Sequence, residues 1–261
     1  MRLYEIQQDE RSEQLFATNL PLIEQNCMEA IWALQDGRTI YKGMNLSGNF
    51  YKSNPKLHIR KSQNTSNYYT LLLSNLPNWK NFPPRSQSLI CSTSYRKAQT
   101  YGNVFIVLPF DGAKIGVCPD SDIFFTKNYD YYSNLDIVDL NNFWASLDFN
   151  DFDYLWFLRQ FENNYMEIIG ILLNGQSVLG NSYAASELGE QMKGAPHHTK
   201  EDKLKFLMNL YDPEKNGFIL SSVDKLPIGE NNEVWTDSES YLLRKSSTLC
   251  SQLAEKYGIK L

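Results

Sequence analysis

The order in which hydrophobic periods follow one another constrains this 261-residue chain most. Short strand-like runs fill residues 38–118. A block of helical period, acidic and aromatic, occupies about 126–210. Strand-like runs then return over 217–243. A sheet made from such a chain must join strands from both sides of the helical block. That order reads as an α+β fold with N-terminal helices and a helical insertion before the last strands. We expect one domain over 1–261 with the insertion at about 126–210, and no internal repeat is visible.

Local signals place the elements. Leu22, Ile23, Cys27, Ile31 and Leu34 recur at helical spacing and Gly37 stops the run. Thr39-Ile40-Tyr41 reads as a strand ending at Lys42-Gly43. Residues 44–56, rich in Gly, Asn and Ser, read as a loop, and 57–60 as an edge strand. A helix is expected over 66–76, a buried strand at 88–91, and a short helix over 94–100 that ends at Gly102. Two strands, 104–108 and 113–118, flank the hairpin-like turn Pro109-Phe110-Asp111-Gly112. Beyond the insertion we expect strands at 217–220, 233–235 and 240–243 and a helix over 246–257.

Composition narrows the setting. No apolar run approaches the roughly 20 residues of a membrane helix, and Met1-Arg2-Leu3-Tyr4-Glu5 has no apolar leader character. Cys27, Cys91, Cys118 and Cys250 are scattered with no C-x-x-C pair, which fits a reducing, cytoplasmic setting. His58, His197 and His198 form no metal spacing with them, so no metal is expected. The net charge of -5 is unevenly spread: residues 38–110 hold ten basic residues and no acidic one. Such a stretch suggests a surface for an anion, a dinucleotide or nucleic acid. Within it, Arg60, Lys61, Tyr68, Tyr69, Trp79, Lys80, Phe82 and Arg85 interleave cations with aromatics, a combination suited to base stacking with phosphate contacts.

Three strand-end motifs carry chemistry. The first is Ile40-Tyr41-Lys42-Gly43-Met44. The second is Cys91-Ser92-Thr93-Ser94, trailed by Ala98 and Tyr101. The third is Asn231-Asn232-Glu233-Val234-Trp235. In this order they resemble the ADP-ribosyltransferase superfamily, in its bacterial-toxin or phage-borne branch. The resemblance covers 38–118 and 217–243. It implies two small packed antiparallel sheets around a cleft for NAD, which is the substrate, with no metal.

By that resemblance, Lys42 stands where the family usually has Arg and pairs with the NAD phosphates as a point charge, without Arg's bidentate fork. Arg60 or Arg85 could share that role. Gly43 lets the backbone approach the nicotinamide amide. Ser92 supports the nicotinamide end and the catalytic glutamate, Thr93 lies beside it, and Tyr101 covers the ring. Glu233 is the catalytic carboxylate, stabilising positive charge on the ribose as nicotinamide leaves. Asn231 stands where arginine-modifying relatives usually have Glu or Gln. That points away from arginine and leaves other side chains or a nucleobase as acceptor. The implied activity is mono-ADP-ribosyl transfer to a nucleic acid or protein. A glycohydrolase without macromolecular acceptor and a noncatalytic nucleic-acid-binding module are the alternatives. A neutralising antitoxin is the further partner such a branch implies.

Other features read plainly. Residues 212–219 mimic the start of a calcium loop, but Val223 stands where a bidentate Glu is needed, leaving a turn. His197-His198 reads as a solvated loop, and Asp237 and Glu239 as exposed strand-end charges. Neither a G-x-G-x-x-G phosphate loop nor a G-x-S-x-G elbow occurs.

Overall fold

The computed structural model describes residues 18, 20–58, 60, 73–74, 76–123, 208, 211–229 and 231–260. The expected insertion helices, most of the helix over 66–76, and His197-His198 lie outside them. The chain divides into two compact units. The first comprises residues 1–59, 87–122 and 219–261, the second 60–86 and 123–218. The fold is α+β with an antiparallel sheet and a few helices.

Every strand among the described residues belongs to the first unit. They are β1 (Tyr41–Met44), β2 (Phe50–Ser53), β3 (Leu89–Ser92), β4 (Asn103–Pro109), β5 (Ile115–Val117), β6 (Ile219–Ser221), β7 (Glu233–Thr236) and β8 (Ser240–Arg244). Backbone pairing links them in the order β2-β8-β4-β1-β3-β7-β5-β6. The two central ladders are continuous, β4 with β8 over five residue pairs and β3 with β7 over four. The junction between the halves is a single pair, Tyr41 opposite Ser92.

Besides the helical residues 20–26, the described helices of this unit are α1 (Met28–Gln35), α2 (Tyr95–Gln99) and α3 (Thr248–Tyr257). The helix expected over 20–34 is broken at Cys27. Asn26 gives its carbonyl to the Asp111 amide at 2.6 Å, so the turn after β4 takes an acceptor that helix continuation would use. α2 is capped by the Ser94 hydroxyl, which accepts from the Lys97 amide, and α3 likewise by Ser247 from Cys250. Gly258, at φ +64°, ends α3 in the left-handed conformation that glycine adopts at no Cβ cost. Ala30, Ile31, Ala33 and Leu34 of α1, Leu249, Cys250 and Leu253 of α3, and Phe105–Leu108 of β4 share one core. The β4 run Val-Phe-Ile-Val-Leu is apolar on both faces because both are buried.

Three expectations need correction. Residues 50–53 form a strand on β8, not part of a loop. Where an edge strand was expected over 57–60, Leu57 ends a 3-10 turn over Pro55–Leu57, capped by Asn54 with Pro55 presetting its first φ, and His58 and Arg60 are in no strand. The strands flanking Pro109–Gly112 do not pair as a hairpin: β4 lies between β1 and β8, while β5 lies between β6 and β7.

In the second unit, the buried indole of Trp79 donates to the Tyr211 carbonyl at 2.6 Å and packs against Phe82 and Phe218. Asp212–Gly217 closes as a turn, with the Lys215 amide on the Asp212 carboxylate and the Asn216 amide on its carbonyl. Arg60 and Arg85 belong to this unit. The Arg60 amide donates to the Ser86 carbonyl at 2.6 Å, and Arg85 is buried.

Candidate functional site

Hydrogen-bond phase fixes what the centre of the sheet presents. The Val107 amide donates to the Ile40 carbonyl, so alternate residues of β1, Lys42 and Met44, turn their backbone groups to β4. Tyr41 and Gly43 then turn theirs toward β3. On the other side, the Thr93 amide donates to the Asn232 carbonyl at 3.0 Å. By the same alternation Cys91 bonds to β7, and Ile90 and Ser92 face β1.

A continued β1–β3 ladder would set Gly43 opposite Ile90. It stops at Tyr41 and Ser92 instead. The Ile90 carbonyl accepts a 2.6 Å hydrogen bond from the Lys42 ammonium. Lys42 therefore occupies the acceptor that the ladder would use, and the peptide edge of Gly43 faces the opening between the strands.

Alternation also decides which side chains share a face. Tyr41, Ser92 and Glu233 lie opposite one another on three neighbouring strands and so share one face. Lys42 and Cys91 fall on the other. Ser92 is buried, donates to the Asn232 carbonyl at 3.3 Å and accepts from the Ser94 amide at 3.0 Å. Its hydroxyl thus ties β3 to the chain entering β7 and to the start of α2. Thr93 does the same from its side: its hydroxyl accepts from the Asn232 amide at 2.9 Å. Asn232 is anchored in turn by its side-chain amide on the Cys118 carbonyl at 2.8 Å. Two backbone bonds to the chain after β5 hold Glu233, its amide on the Asp120 carbonyl at 2.7 Å and its carbonyl under the Cys118 amide at 2.8 Å. Its half-buried carboxylate is therefore borne on a fixed backbone.

Two charges meet at Cys91. Burial pushes its thiol up to about 12, Lys42 pulling against that shift and Glu233 adding to it. Burial thus favours the neutral thiol over the nucleophilic thiolate. Cys27 is likewise pushed to about 12 by burial, and Cys250 to about 11.

The α2 helix covers the Tyr41–Gly43 face. A Cβ on Gly43 would lie 1.8 Å from the Ala98 carbonyl oxygen and 2.9 Å from the Tyr101 Cβ. Glycine at this position is thus demanded by the helix packed on it. Tyr101 is 47% exposed, with the Lys97 ammonium 5.9 Å from its ring centre. Ser92, Thr93, Glu233, Lys42, Gly43 and Tyr101 all belong to the first unit, and Arg60 to the second.

Part of the acid-free stretch in the first unit is charge-paired. Lys52 pairs with Glu239 at 2.7 Å, Lys56 with Asp237 at 3.0 Å, Lys97 with Asp122 at 3.6 Å and Arg38 with Asp36 at 2.9 Å. The missing carboxylates come from the flanks and the returning strands. Asp237 and Glu239 are accordingly half-buried partners of lysines, not idle strand-end charges. The Lys52 hydrogen bond holds the Glu239 carboxyl below its ordinary range.

Sequence reasoning passed over Tyr41 and Asn232. Tyr41 could have been found by alternation from Gly43, since strand residues two apart share a face. Asn232 carries no motif signal; its role comes from a bond to Cys118, 114 residues away in the chain. Among the described residues no group of three or more His, Cys, Asp or Glu is placed to hold a metal ion, and no helix is long and apolar enough to cross a membrane. Comparison with protein-family models, with curated proteins and with solved structures gives no match for this chain.

Proposed function

We propose that this chain is an NAD-dependent mono-ADP-ribosyltransferase acting on a macromolecular acceptor. One observation carries the reading: Ser92 and Glu233 stand opposite each other on paired strands, beside the point where β1 leaves β3. The halves of the sheet on either side of that point are then the two small sheets of an NAD cleft. The peptide edge of Gly43 takes the nicotinamide amide there, as paired N–H and C=O groups suit a carboxamide. The Lys42 ammonium serves the diphosphate as a point charge, sharing its protons between phosphate oxygen and the Ile90 carbonyl. Tyr101 covers the nicotinamide.

Glu233 accepts a hydrogen bond from the ribose hydroxyl beside the glycosidic bond and stabilises the positive charge that develops as that bond lengthens. Ser92, fixed by Asn232 and Ser94, keeps the carboxylate oriented. The carbon–nitrogen bond breaks, nicotinamide leaves neutral with the bonding pair, and an acceptor nucleophile closes on the ribose carbon while losing a proton to water. Residues 126–210 would select the acceptor, because specificity resides in elements appended to a shared core.

The test is transfer of label from adenine-labelled NAD to nucleic acid or protein in a cell extract. The reading expects label in the macromolecular fraction, lost in Glu233→Gln. Free ADP-ribose alone would reduce the protein to a glycohydrolase.

A further inference from the structure

Three stretches of chain meet at Asn232, the residue before Glu233. Its backbone amide donates to the Thr93 hydroxyl at 2.9 Å, and its carbonyl accepts from the Thr93 amide at 3.0 Å. Its side-chain Nδ2 crosses to the Cys118 carbonyl at 2.8 Å. The end of β3 and the exit of β5 are therefore both tied to the residue that hands the chain on to Glu233. We propose that Asn232 is a positioning residue for the reaction, passing the hold of Thr93 and Ser92 to the Glu233 carboxylate. This rests on the transferase reading and adds to it the residue that sets where its carboxylate stands.

Hydrogen-bond capacity separates this role from a merely structural one. Asn232 is 2% exposed. A buried carboxamide needs a partner at each end, yet among the described residues no donor reaches its Oδ1. An acceptor buried in that state weakens a fold by as much as the Nδ2 bond strengthens it, or more. Stability therefore does not explain the side chain. An apolar residue of similar size would remove the bond and the unpartnered oxygen together. What the carboxamide does supply is a donor for the Cys118 carbonyl, which fixes the sideways placement of the chain entering β7. A polar group that breaks a packing rule one residue from the reacting carboxylate marks a functional constraint.

The Ser92 hydroxyl fits the same account. A serine has one proton to donate, and the acceptor it meets is the Asn232 carbonyl at 3.3 Å. Its oxygen in turn takes the Ser94 amide. The influence of Ser92 on Glu233 thus runs through Asn232, and Thr93 arrives at the same residue by shorter bonds. Cys118 receives both neighbours, Asn232 through its side chain and Glu233 through its backbone. A shift of Asn232 against Cys118 turns the start of β7, and the carboxylate on its first residue moves with it. A misplacement of about 1 Å can lower a rate on the order of a hundredfold.

The experiment measures steady-state nicotinamide release from NAD by the full chain, with melting followed by circular dichroism. Asn232→Leu keeps the size of the side chain and removes its donor, and Asn232→Ala removes the donor without overpacking. At least one of them should melt within about 4 °C of the wild type. That variant should lose about tenfold or more in kcat while its KM for NAD stays unchanged. Ser92→Ala should lower kcat as well. Combined with the Asn232 variant, it should lose less than the product of the two single losses, because both act on the placement of one residue. The inference is overturned if the Asn232 variants keep the wild-type kcat, if KM rises in place of the fall in kcat, or if the two losses multiply. Both variants melting far below the wild type would make the side chain structural and equally overturn it. No release by the wild type, with or without cell extract, would remove the transferase reading and this inference together. Wild-type release with unaltered variants would remove this inference alone.

Discussion

Replacing Gly43 by Ala should be among the most damaging single-methyl additions available in the first unit. The added Cβ would sit 1.8 Å from the Ala98 carbonyl oxygen and 2.8 Å from its carbon. Both are backbone atoms of α2, so no side chain can rotate away. Either the helix lifts from the sheet or β1 bends off β4, whose pairing with β1 spans residues 41–44. Overpacking of this kind costs about 1–3 kcal/mol, and a backbone obstacle places this case near the top of that range. At about 3 kcal/mol the melting temperature falls by roughly 6–12 °C. Gly112 supplies the contrast. It has φ +74° but nothing within 4 Å of its would-be Cβ, so Gly112→Ala should cost only about 1 kcal/mol of backbone strain. Thermal unfolding followed by circular dichroism ranks the two. Gly43→Ala melting at or above Gly112→Ala would refute the packing argument, and with it the account of why β1 carries a glycine.

Other perturbations separate the remaining claims. Lys42→Met removes the ammonium from the Ile90 carbonyl and the phosphate charge from the proposed site. The KM for NAD should rise about tenfold, the worth of one charge-assisted contact, and an unchanged KM would remove Lys42 from the phosphate role. Ser247→Ala deletes the α3 cap and should cost about 1 kcal/mol in urea unfolding, with no effect on nicotinamide release. The pH dependence of stability should carry the mark of Glu24, whose carboxyl is held below 4.5 by hydrogen bonds from Lys256 and Tyr257. Its contribution is present above pH 4.5 and lost as pH falls through the lowered folded value. Tyr257, raised to about 12 chiefly by burial and then by its bond to Glu24, contributes below pH 10 and loses that contribution toward 12. Glu24→Gln should flatten the acid limb of a stability-versus-pH curve, and an unaltered limb would contradict the assignment.

The sequence made strands and caps legible where the signal was local. β4 announced itself through an unbroken apolar run, and α2 and α3 through runs expected over 94–100 and 246–257. What stayed hidden was non-local. β2 is a four-residue edge strand among Gly, Asn and Ser, and only its pairing with β8, some 190 residues on, makes it a strand. Pro109–Gly112 has genuine turn chemistry, yet no local rule says that the strands it joins go to different neighbours. The motif residues Ser92 and Glu233 were legible by type and order. Their direct opposition depends on a register set by Thr93 and Asn232, which periodicity does not report. Nor does the acid-free stretch show in the sequence that Lys52 and Lys56 meet Glu239 and Asp237, distant in the chain and near in space.

The central claim is that Glu233, opposite Ser92, cleaves the bond between ribose and nicotinamide. Nicotinamide release from NAD by the purified protein, with and without cell extract as a source of acceptor, tests it directly. The account predicts release by the wild type and its loss in Glu233→Ala, which should melt as the wild type does because Glu233 is held in β7 by backbone bonds. No release with or without extract, or release that survives Glu233→Ala, would contradict it.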